Sequence, residues 1–188
     1  RIAAGTFLAA ILSTKGSGIV NGINPEHLPM ELKKLGEMGA KIDSTETSIN
    51  IEYRDNLQSI ELSTLPFPGI ATDLQPIFGS ALLLAEGTSI LTENVYDQRF
   101  QWIPEAQRMG ANIQTGWQHA MIKGVKTLSG APVHATDIRT GASLVIAALQ
   151  ADGLSTITGI DHINRGYEDI VASLTSLGST IEYNDNHG

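Results

Sequence analysis

The stretch Ala71-Thr72-Asp73-Leu74-Gln75 recurs further along the chain as Ala135-Thr136-Asp137-Ile138-Arg139. Each copy follows an extended stretch and leads into a segment of apolar and small residues. This order predicts a strand or loop, then a tight turn, then a helix. An aspartate at a helix N-cap accepts backbone N–H groups and suits the positive end of the helix dipole. Both aspartates are therefore expected to be helix caps.

Arg139 does not fit this simple interpretation. A cation in the first helical turn meets the unfavourable end of the dipole, unless an anion binds there. Two further arginines, Arg99 and Arg165, are also predicted just before or within the first turn of a helix. Three guanidiniums gathered at one end of a domain can bind carboxylate and phosphate groups bidentately. The alternative is that each arginine pairs with a nearby acid, such as Asp97, Asp137 or Glu168.

Glycines recur through the chain at nearly regular intervals, each slightly longer than a third of the sequence. One set follows amphipathic runs: Gly39, Gly110 and Gly178. A second set precedes strand-like runs: Gly16, Gly87 and Gly153. A glycine that directly follows an amphipathic run is typical of a helix C-terminus. Two landmark sets with nearly the same period indicate an internal repeat.

One repeat unit is interpreted as strand, helix, strand, helix, strand, strand. The units fall at about residues 1–55, 56–127 and 128–188 of a single domain, and the first unit lacks its opening strand. The first helix of each unit is apolar on nearly all sides and is expected to be buried: Phe7 to Leu12, Ile77 to Ala85, and Leu144 to Leu149. The predicted fold class is α/β (α+β), an inside-out α/β barrel with sheets and outer helices around three buried helices.

The composition is that of a globular protein without disulfides. Of 188 residues, 41% are hydrophobic and 17% are charged. The formal net charge of −8 disfavours a non-specific nucleic-acid binder, which needs a basic surface. The lack of cysteine excludes thiolate nucleophiles and cysteine-based zinc sites within this chain. With no membrane-spanning apolar run and no signal-peptide pattern, the expected location is the cytoplasm, and the opening without Met suggests a piece of a longer protein.

Asp73 is the candidate general base, because a carboxylate can accept the proton of a substrate hydroxyl as its oxygen attacks. The five histidines lack the spacing of metal ligands, so neither a metal nor a cofactor is expected. The chain has no phosphate-cradling glycine loop and no Ser-His-Asp arrangement. Trp102 and Trp117 are expected to be packing residues. The tail Asn184–Gly188 is expected to fray.

Six stretches from one end of the chain to the other resemble a known family. They are Arg1-Ile2-Ala3-Ala4-Gly5-Thr6-Phe7, Phe67-Pro68-Gly69 through Gln75, Thr92-Glu93-Asn94-Val95 through Arg99-Phe100, Leu128-Ser129-Gly130-Ala131, Ala135 through Arg139, and His162 through Glu168. Together they are similar to the enolpyruvyl transferases, most of all to the members that act on UDP-N-acetylglucosamine. The resemblance implies one domain of a two-domain enzyme, with the enolpyruvyl transferase and RNA terminal phosphate cyclase-like fold.

The reaction implied by the resemblance transfers enolpyruvyl from phosphoenolpyruvate to UDP-N-acetylglucosamine, the first committed step of peptidoglycan synthesis. By position, Asp73 resembles the acceptor-sugar contact and proposed base, and Val95 resembles a residue whose backbone contacts the UDP-sugar. Arg139 and Arg165 resemble the residues that hold phosphoenolpyruvate and its phosphate. Two further residues resemble supporting charges of the same cleft: Arg99 and Asp137.

The chain departs from the family at two positions beside these residues. The family usually has proline where Ala71 stands, and aspartate where Asn164 stands. Ala71 relaxes the loop that holds Asp73, and Asn164 removes a carboxylate beside Arg165. The family's mobile loop with its catalytic cysteine or aspartate, a substrate-binding lysine and a further arginine belong to the other domain. This chain alone is therefore expected to be inactive.

Two other functions remain open from the sequence. One is the sibling activity on shikimate phosphate, which has the same fold but a different run around the arginine that corresponds to Arg165. The other is a stand-alone, non-catalytic module that binds a sugar nucleotide. A binding assay that compares UDP-N-acetylglucosamine with shikimate phosphate tests the shikimate-phosphate activity. A homologous domain upstream of Arg1 in the reading frame would argue against the stand-alone module.

Overall fold

The computed structural model describes residues 1–184 of the chain. Seven α-helices lie in this range: α1 Ile2–Ser13, α2 Pro29–Glu37, α3 Gln75–Ala81, α4 Ile103–Arg108, α5 Ile138–Gln150, α6 Ile160–Asn164 and α7 Ile170–Ser176. Two short 3₁₀ turns precede α2 and α3, at Pro25–His27 and Thr72–Leu74. None of the helices in residues 1–184 combines the length and apolar character that crossing a membrane requires.

Nine strands form three separate sheets in the described residues. The strands are β1 Ser17–Asn21, β2 Ala40–Ser44, β3 Ser48–Tyr53, β4 Glu61–Ser63, β5 Thr88–Thr92, β6 Asn112–Gly116, β7 His119–Lys123, β8 Pro132–His134 and β9 Thr156–Thr158. The first sheet has the order β1-β3-β2 and is antiparallel. The second has the order β4-β5-β7-β6, with a parallel β4–β5 pair and antiparallel pairs elsewhere. The third is the parallel pair β8–β9. The fold is thus mixed α and β, as expected.

Helices α1, α3 and α5 form the centre of the molecule, as the apolar segments predict. All three pairs among them are in contact. Every residue of α3 is buried, and α1 and α5 each bury an unbroken run, from Leu8 to Ser13 and from Thr140 to Ala147. The predicted helix from Ile77 to Ala85 is too long, because α3 ends at Ala81 and the chain turns over Leu82–Leu84. Small residues allow this packing, as an added Cβ at Gly5 would meet Leu74 at 2.9 Å.

The outer helices α2, α4 and α7 bury one face each. Leu35 of α2, Ile103 of α4 and Leu174 of α7 face the core, and the opposite faces carry polar residues. Each helix ends just before a glycine with positive φ, at 109°, 97° and 95°. Only glycine adopts this left-handed conformation without strain, which confirms the predicted C-terminal glycines.

The strand predictions are confirmed except in the last part of the chain. Strands β1, β5 and β9 follow the second set of glycines, as predicted. The repeat pattern places a strand after Gly178, as β2 follows Gly39 and β6 follows Gly110, and this prediction is wrong. Residues 179–184 have no regular secondary structure. The expected fraying of the tail falls almost entirely on residues 185–188, which lie outside the described residues.

The two tryptophans have opposite environments. Trp102 is fully buried against α3, where its ring lies so close to Gly79 that a Cβ there would overlap it. Its Nε1–H donates a hydrogen bond of 3.3 Å to Gln75 Oε1. Trp117 is 97% exposed at the turn between β6 and β7, with a positive φ of 41°. The expectation of a packing role is confirmed for Trp102 and wrong for Trp117.

Glu31 is an ionisable side chain inside the core. Its surface is fully buried on α2, and neither carboxyl oxygen has a hydrogen-bond partner among the described residues. The ion pair with Arg1 is long, with 3.9 Å between Arg1 Nη1 and Glu31 Oε1. Burial raises the pKa of Glu31 above its ordinary value, because the charged form loses its water, and the charge of Arg1 only partly opposes this.

Glu31→Gln is expected to stabilise the fold more at pH 7 than at pH 4. The folded state holds the Glu31 proton more tightly than the unfolded state, so wild-type stability falls as pH rises through the folded pKa. Glutamine has no such titration. We therefore expect the gain in unfolding free energy over wild type to be larger at pH 7 than at pH 4. Urea unfolding at both pH values measures it, with the exposed Glu52→Gln as control, and equal effects at pH 4 and pH 7 would contradict it.

Candidate active site

Asp137 caps α5 as predicted. Its backbone is extended, with φ −156° and ψ 173°. Its side chain accepts hydrogen bonds from Arg139 N at 2.8 Å, from Thr140 N at 3.3 Å and from Thr140 Oγ1 at 2.6 Å. Burial raises the pKa of Asp137, but the hydrogen bonds from Thr140 and Arg139 outweigh it, so the pKa lies below its ordinary value. Asp137 is thus a charged cap that fixes the start of α5.

Asp73 is not a cap, and that expectation is wrong. It is the middle residue of the 3₁₀ turn Thr72–Leu74, and neither this turn nor α3 has a side-chain cap. Its Oδ1 instead accepts a hydrogen bond from Arg139 Nε at 2.5 Å and lies 3.5 Å from Arg99 Nη2. The two arginines do pair with an acid, but not with one that is near in sequence. The two copies of the Ala-Thr-Asp motif therefore have different roles. Asp137 caps a helix, whereas Asp73 pairs with two arginines.

Arg99 is held from several sides. Its Nε donates to Thr72 Oγ1 at 3.1 Å, and its guanidinium lies 4.6 Å from the centre of the Tyr96 ring. Partial burial lowers the pKa of Arg99, the positive charge of Arg139 lowers it further, and Asp73 and other acids oppose these effects. An arginine remains charged in proteins, so two guanidiniums are kept close together here. The carboxylate of Asp73 lies against both.

Two hollows adjoin the Asp73–Arg139 pair. The larger, of about 300 Å³, is lined by Pro76, Tyr96, Gln98, Arg99, Gln101, Asp137, Arg139 and Thr140. The smaller, of about 200 Å³, is lined by Ile2, Ala3, Asp73, Ile138, Arg139, Gly166 and Tyr167. Arg139 lines both. A carboxylate and two cations at the edge of open space can receive a hydroxyl group and an anion together.

Arg165 lies beside this site without joining it. It is exposed at the C-terminal end of α6, and within residues 1–184 it makes no ion pair or side-chain hydrogen bond. The predicted position at a helix start is therefore wrong. The next residue, Gly166, packs against Ile138 so closely that a Cβ would overlap it. The following Tyr167 is buried, with its hydroxyl 2.8 Å from Thr6 Oγ1. This packing ties the Arg165 backbone to the wall of the smaller hollow.

Val95 is held in place through its backbone N–H. Its side chain is 47% exposed, and its N–H donates a hydrogen bond of 2.9 Å to Glu93 Oε1. The same oxygen binds Thr72, the neighbour of Asp73, at 3.0 Å. The structure thus brings Asp73, Arg99, Asp137 and Arg139 together and connects Val95 to them through Glu93.

The sequence did not single out Glu93 or Thr72. The position of Glu93 could have drawn attention to it, because it follows a strand directly and lies within one of the stretches that resemble the family. Two of the histidines, His119 and His134, each form a hydrogen bond with a threonine hydroxyl across a strand pair, at 3.0 and 2.8 Å. Within residues 1–184, no three His, Asp or Glu side chains cluster as metal ligands would.

Comparisons with known proteins agree with the mixed α and β fold. The solved structure of the enolpyruvyl transferase NikO from Streptomyces tendae matches with a TM-score of 0.84 and 26% identity, over 94% of this chain and 42% of that chain. The UDP-N-acetylglucosamine 1-carboxyvinyltransferase of Thermotoga maritima is 45% identical over 97% of this chain. The protein of the same name from Nocardia farcinica is 42% identical over 97% of this chain.

The fold is that of the enolpyruvyl transferases. The chain belongs to the EPSP synthase (3-phosphoshikimate 1-carboxyvinyltransferase) family, whose sequence profile matches residues 1–174. It spans less than half of the relatives it resembles, 44% of the Thermotoga maritima protein and 43% of the Nocardia farcinica protein.

Proposed function

We propose that the chain forms one side of the active-site cleft of an enolpyruvyl transferase. Asp73, held between Arg139 at 2.5 Å and Arg99 at 3.5 Å beside open space, is the observation that carries this conclusion. The reaction needs a base for a hydroxyl group and cations for a carboxylate and a phosphate, which are the groups present here. Enolpyruvyl passes from phosphoenolpyruvate to the acceptor hydroxyl, and phosphate leaves. Neither a metal ion nor a cofactor is needed for these steps.

UDP-N-acetylglucosamine is the acceptor we favour. Two relatives that carry this substrate in their names are 45% and 42% identical to this chain over 97% of its length. The activity then belongs to the first committed step of peptidoglycan synthesis in the cytoplasm, with consequences for cell-wall biogenesis, cell shape and cell division. Shikimate phosphate is the second candidate, because the family profile is named for an enzyme that uses it.

The ion pair between Asp73 and Arg139 has to open during the reaction. In the structure both guanidiniums lie against the same carboxyl oxygen of Asp73, so this oxygen is not free to accept a substrate hydroxyl. When phosphoenolpyruvate brings its own carboxylate and phosphate to Arg139, the guanidinium gains a second partner. Asp73 then accepts the hydrogen bond of the acceptor hydroxyl and takes its proton as the new bond forms. Arg165 is exposed beside the smaller hollow and supplies a second cation to the same anion.

The proposed architecture is a single domain of three repeats at about residues 1–55, 56–127 and 128–188, arranged as an inside-out α/β barrel. A second domain of the same enzyme closes over the cleft and supplies the mobile loop, the lysine and the further arginine. Closure is what brings these groups onto the substrates. In this arrangement Asp137 and Arg99 support the site through charge, and Val95 contacts the UDP-sugar through its backbone carbonyl, since Glu93 already holds its N–H.

Phosphate release from phosphoenolpyruvate tests the proposal. We expect the full-length enzyme to release phosphate with UDP-N-acetylglucosamine and not with shikimate 3-phosphate. We expect residues 1–188 alone to release none, and activity to return when the separately expressed second domain is added. Turnover by residues 1–188 alone would contradict the shared cleft. Release with shikimate 3-phosphate would establish the second candidate, and binding of the sugar nucleotide without release by any preparation would indicate a non-catalytic module.

A further inference from the structure

Glu93 is a buried acid beside the site, and all the side-chain hydrogen bonds it makes within residues 1–184 meet on one carboxyl oxygen. It follows β5 directly and is 1% exposed. Its Oε1 accepts four hydrogen bonds, from Thr64 Oγ1 at 2.7 Å, Thr72 Oγ1 at 3.0 Å, Val95 N at 2.9 Å and Tyr96 N at 3.0 Å. These donors come from three separate segments of the chain. One oxygen atom therefore ties together the strand end, the turn that holds Asp73 and the loop after β5.

The direction of each hydroxyl bond is fixed by its other partner. Thr72 Oγ1 accepts from Arg99 Nε at 3.1 Å, and Thr64 Oγ1 accepts from Asn94 N at 2.9 Å. A hydroxyl has a single hydrogen, so each threonine must give its own hydrogen to Glu93. The result is a one-way chain, from the Arg99 guanidinium through Thr72 to the Glu93 carboxylate. Arg99 Nη2 in turn lies 3.5 Å from Asp73 Oδ1.

The second oxygen of Glu93 is left without support. Glu93 Oε2 is buried and has no hydrogen-bond partner in residues 1–184. A buried oxygen without a partner costs stability, and a charged one costs more. A neutral amide has one carbonyl oxygen for the same four donors, but it accepts hydrogen bonds less strongly than a carboxylate and would hold these donors more weakly. The carboxylate therefore holds the four donors more firmly than an amide would, and the negative charge faces the cation at the end of the hydrogen-bond chain.

We infer that Glu93 is a positioning residue, which fixes the Arg99 guanidinium and the Val95 backbone in one relation to Asp73. Glu93 itself touches no reacting atom. It acts through Thr72, whose hydroxyl orients Arg99 and whose backbone leads into Asp73, and through the Val95 and Tyr96 amides. Because the proposed function places Asp73, Arg99 and Val95 around the acceptor, this inference rests on it. A small displacement of such groups reduces a rate by on the order of 100-fold.

Glu93→Gln and Thr72→Val are the two variants that test the chain of bonds. Glutamine keeps an acceptor oxygen but removes the charge, and valine keeps the shape of threonine but removes the hydroxyl. In the full-length enzyme we expect each to lower kcat/KM by about 10- to 100-fold. The double variant should lose little more than either single one, since both interrupt the same path. Ser89→Ala is the matched control, because buried Ser89 of β5 accepts a hydrogen bond from Ile60 N and lies outside this path.

An NMR readout on the same polypeptide does not depend on activity. The Arg99 Nε–H is hydrogen-bonded to Thr72 in wild type, so we expect its hydrogen to exchange slowly with water. We expect Thr72→Val and Glu93→Gln to speed this exchange at least several-fold, and Ser89→Ala to leave it unchanged. Unchanged Arg99 exchange in both variants would overturn the inference, as would additive losses in kcat/KM or losses that only follow the melting temperature. If wild type transfers no enolpyruvyl but Arg99 exchange responds as expected, the proposed function fails and the positioning stands.

Discussion

Asp73→Asn is expected to slow turnover of the full-length enzyme on the order of 100- to 10,000-fold, the usual contribution of a general base. The amide can still accept the hydroxyl hydrogen bond, but it cannot take the proton. Substrate affinities should change far less than kcat. Because Asp73 caps no helix, the fold loses only ion pairs with partly exposed partners, worth about 1 kcal/mol or less each. Steady-state phosphate release and a melting curve on the same sample separate the two effects.

Asp43→Asn is the control for this substitution. Asp43 lies on β2 and pairs with Lys41 at 3.3 Å, with most of its side chain exposed. It has no contact with the proposed cleft, so turnover should stay at the wild-type level. If Asp73→Asn retained wild-type turnover, Asp73 would be a partner of Arg139 in the resting protein and no more.

Arg139→Ala is expected to weaken phosphoenolpyruvate binding by about 10- to 150-fold. Hydrogen bonds to charged groups contribute roughly 1.5–3 kcal/mol each, and this range converts to that loss of affinity. The fold itself should be nearly unaffected. The pair with Asp73 leaves about a third of each side chain exposed, at 35% and 34%, which limits its value to about 1 kcal/mol. Removing a cation from the first turn of α5, at the unfavourable end of the helix dipole, regains part of the stability lost with this ion pair.

Calorimetric titration with phosphoenolpyruvate measures the affinity, and Arg54→Ala at an exposed position serves as the control. Arg139→Lys adds a finer comparison, because lysine keeps the charge but cannot bind two oxygens in a planar fork. It should fall between wild type and Arg139→Ala. A large drop in melting temperature with intact affinity would instead make Arg139 a structural residue.

The buried helices could be predicted because burial leaves a compositional trace. Segments such as that around Leu144 are apolar on every side, and this excludes a surface position for a helix. The helix ends were equally accessible, because Gly39 and its counterparts require a left-handed backbone that other residues avoid. Such features depend on a residue and its near neighbours, which is why one sequence suffices to recognise them.

The partner of Asp73 could not be predicted in the same way. Arg139 is far away along the chain, and only the packing of α3 against α5 brings the two together. The cap interpretation was reasonable for both aspartates, because the local sequence is almost identical. The Thr72–Leu74 turn decides the difference, since it places Asp73 inside the turn and not before it. Likewise, the run after Gly178 has strand-like residues, but residues 179–184 form no strand in the described part of the chain.

The contrast between the two tryptophans gives the protein a built-in optical signal. Trp102 is sealed from water and bonded to Gln75, two residues beyond Asp73, whereas Trp117 stands almost entirely in solvent. Their fluorescence therefore differs in emission wavelength and in access to dissolved quenchers such as iodide. We expect iodide to quench the fluorescence of exposed Trp117 but not that of buried Trp102. The substitution Trp117→Phe removes the Trp117 emission without an additive. The remaining emission then arises from the indole packed directly behind the Asp73 turn.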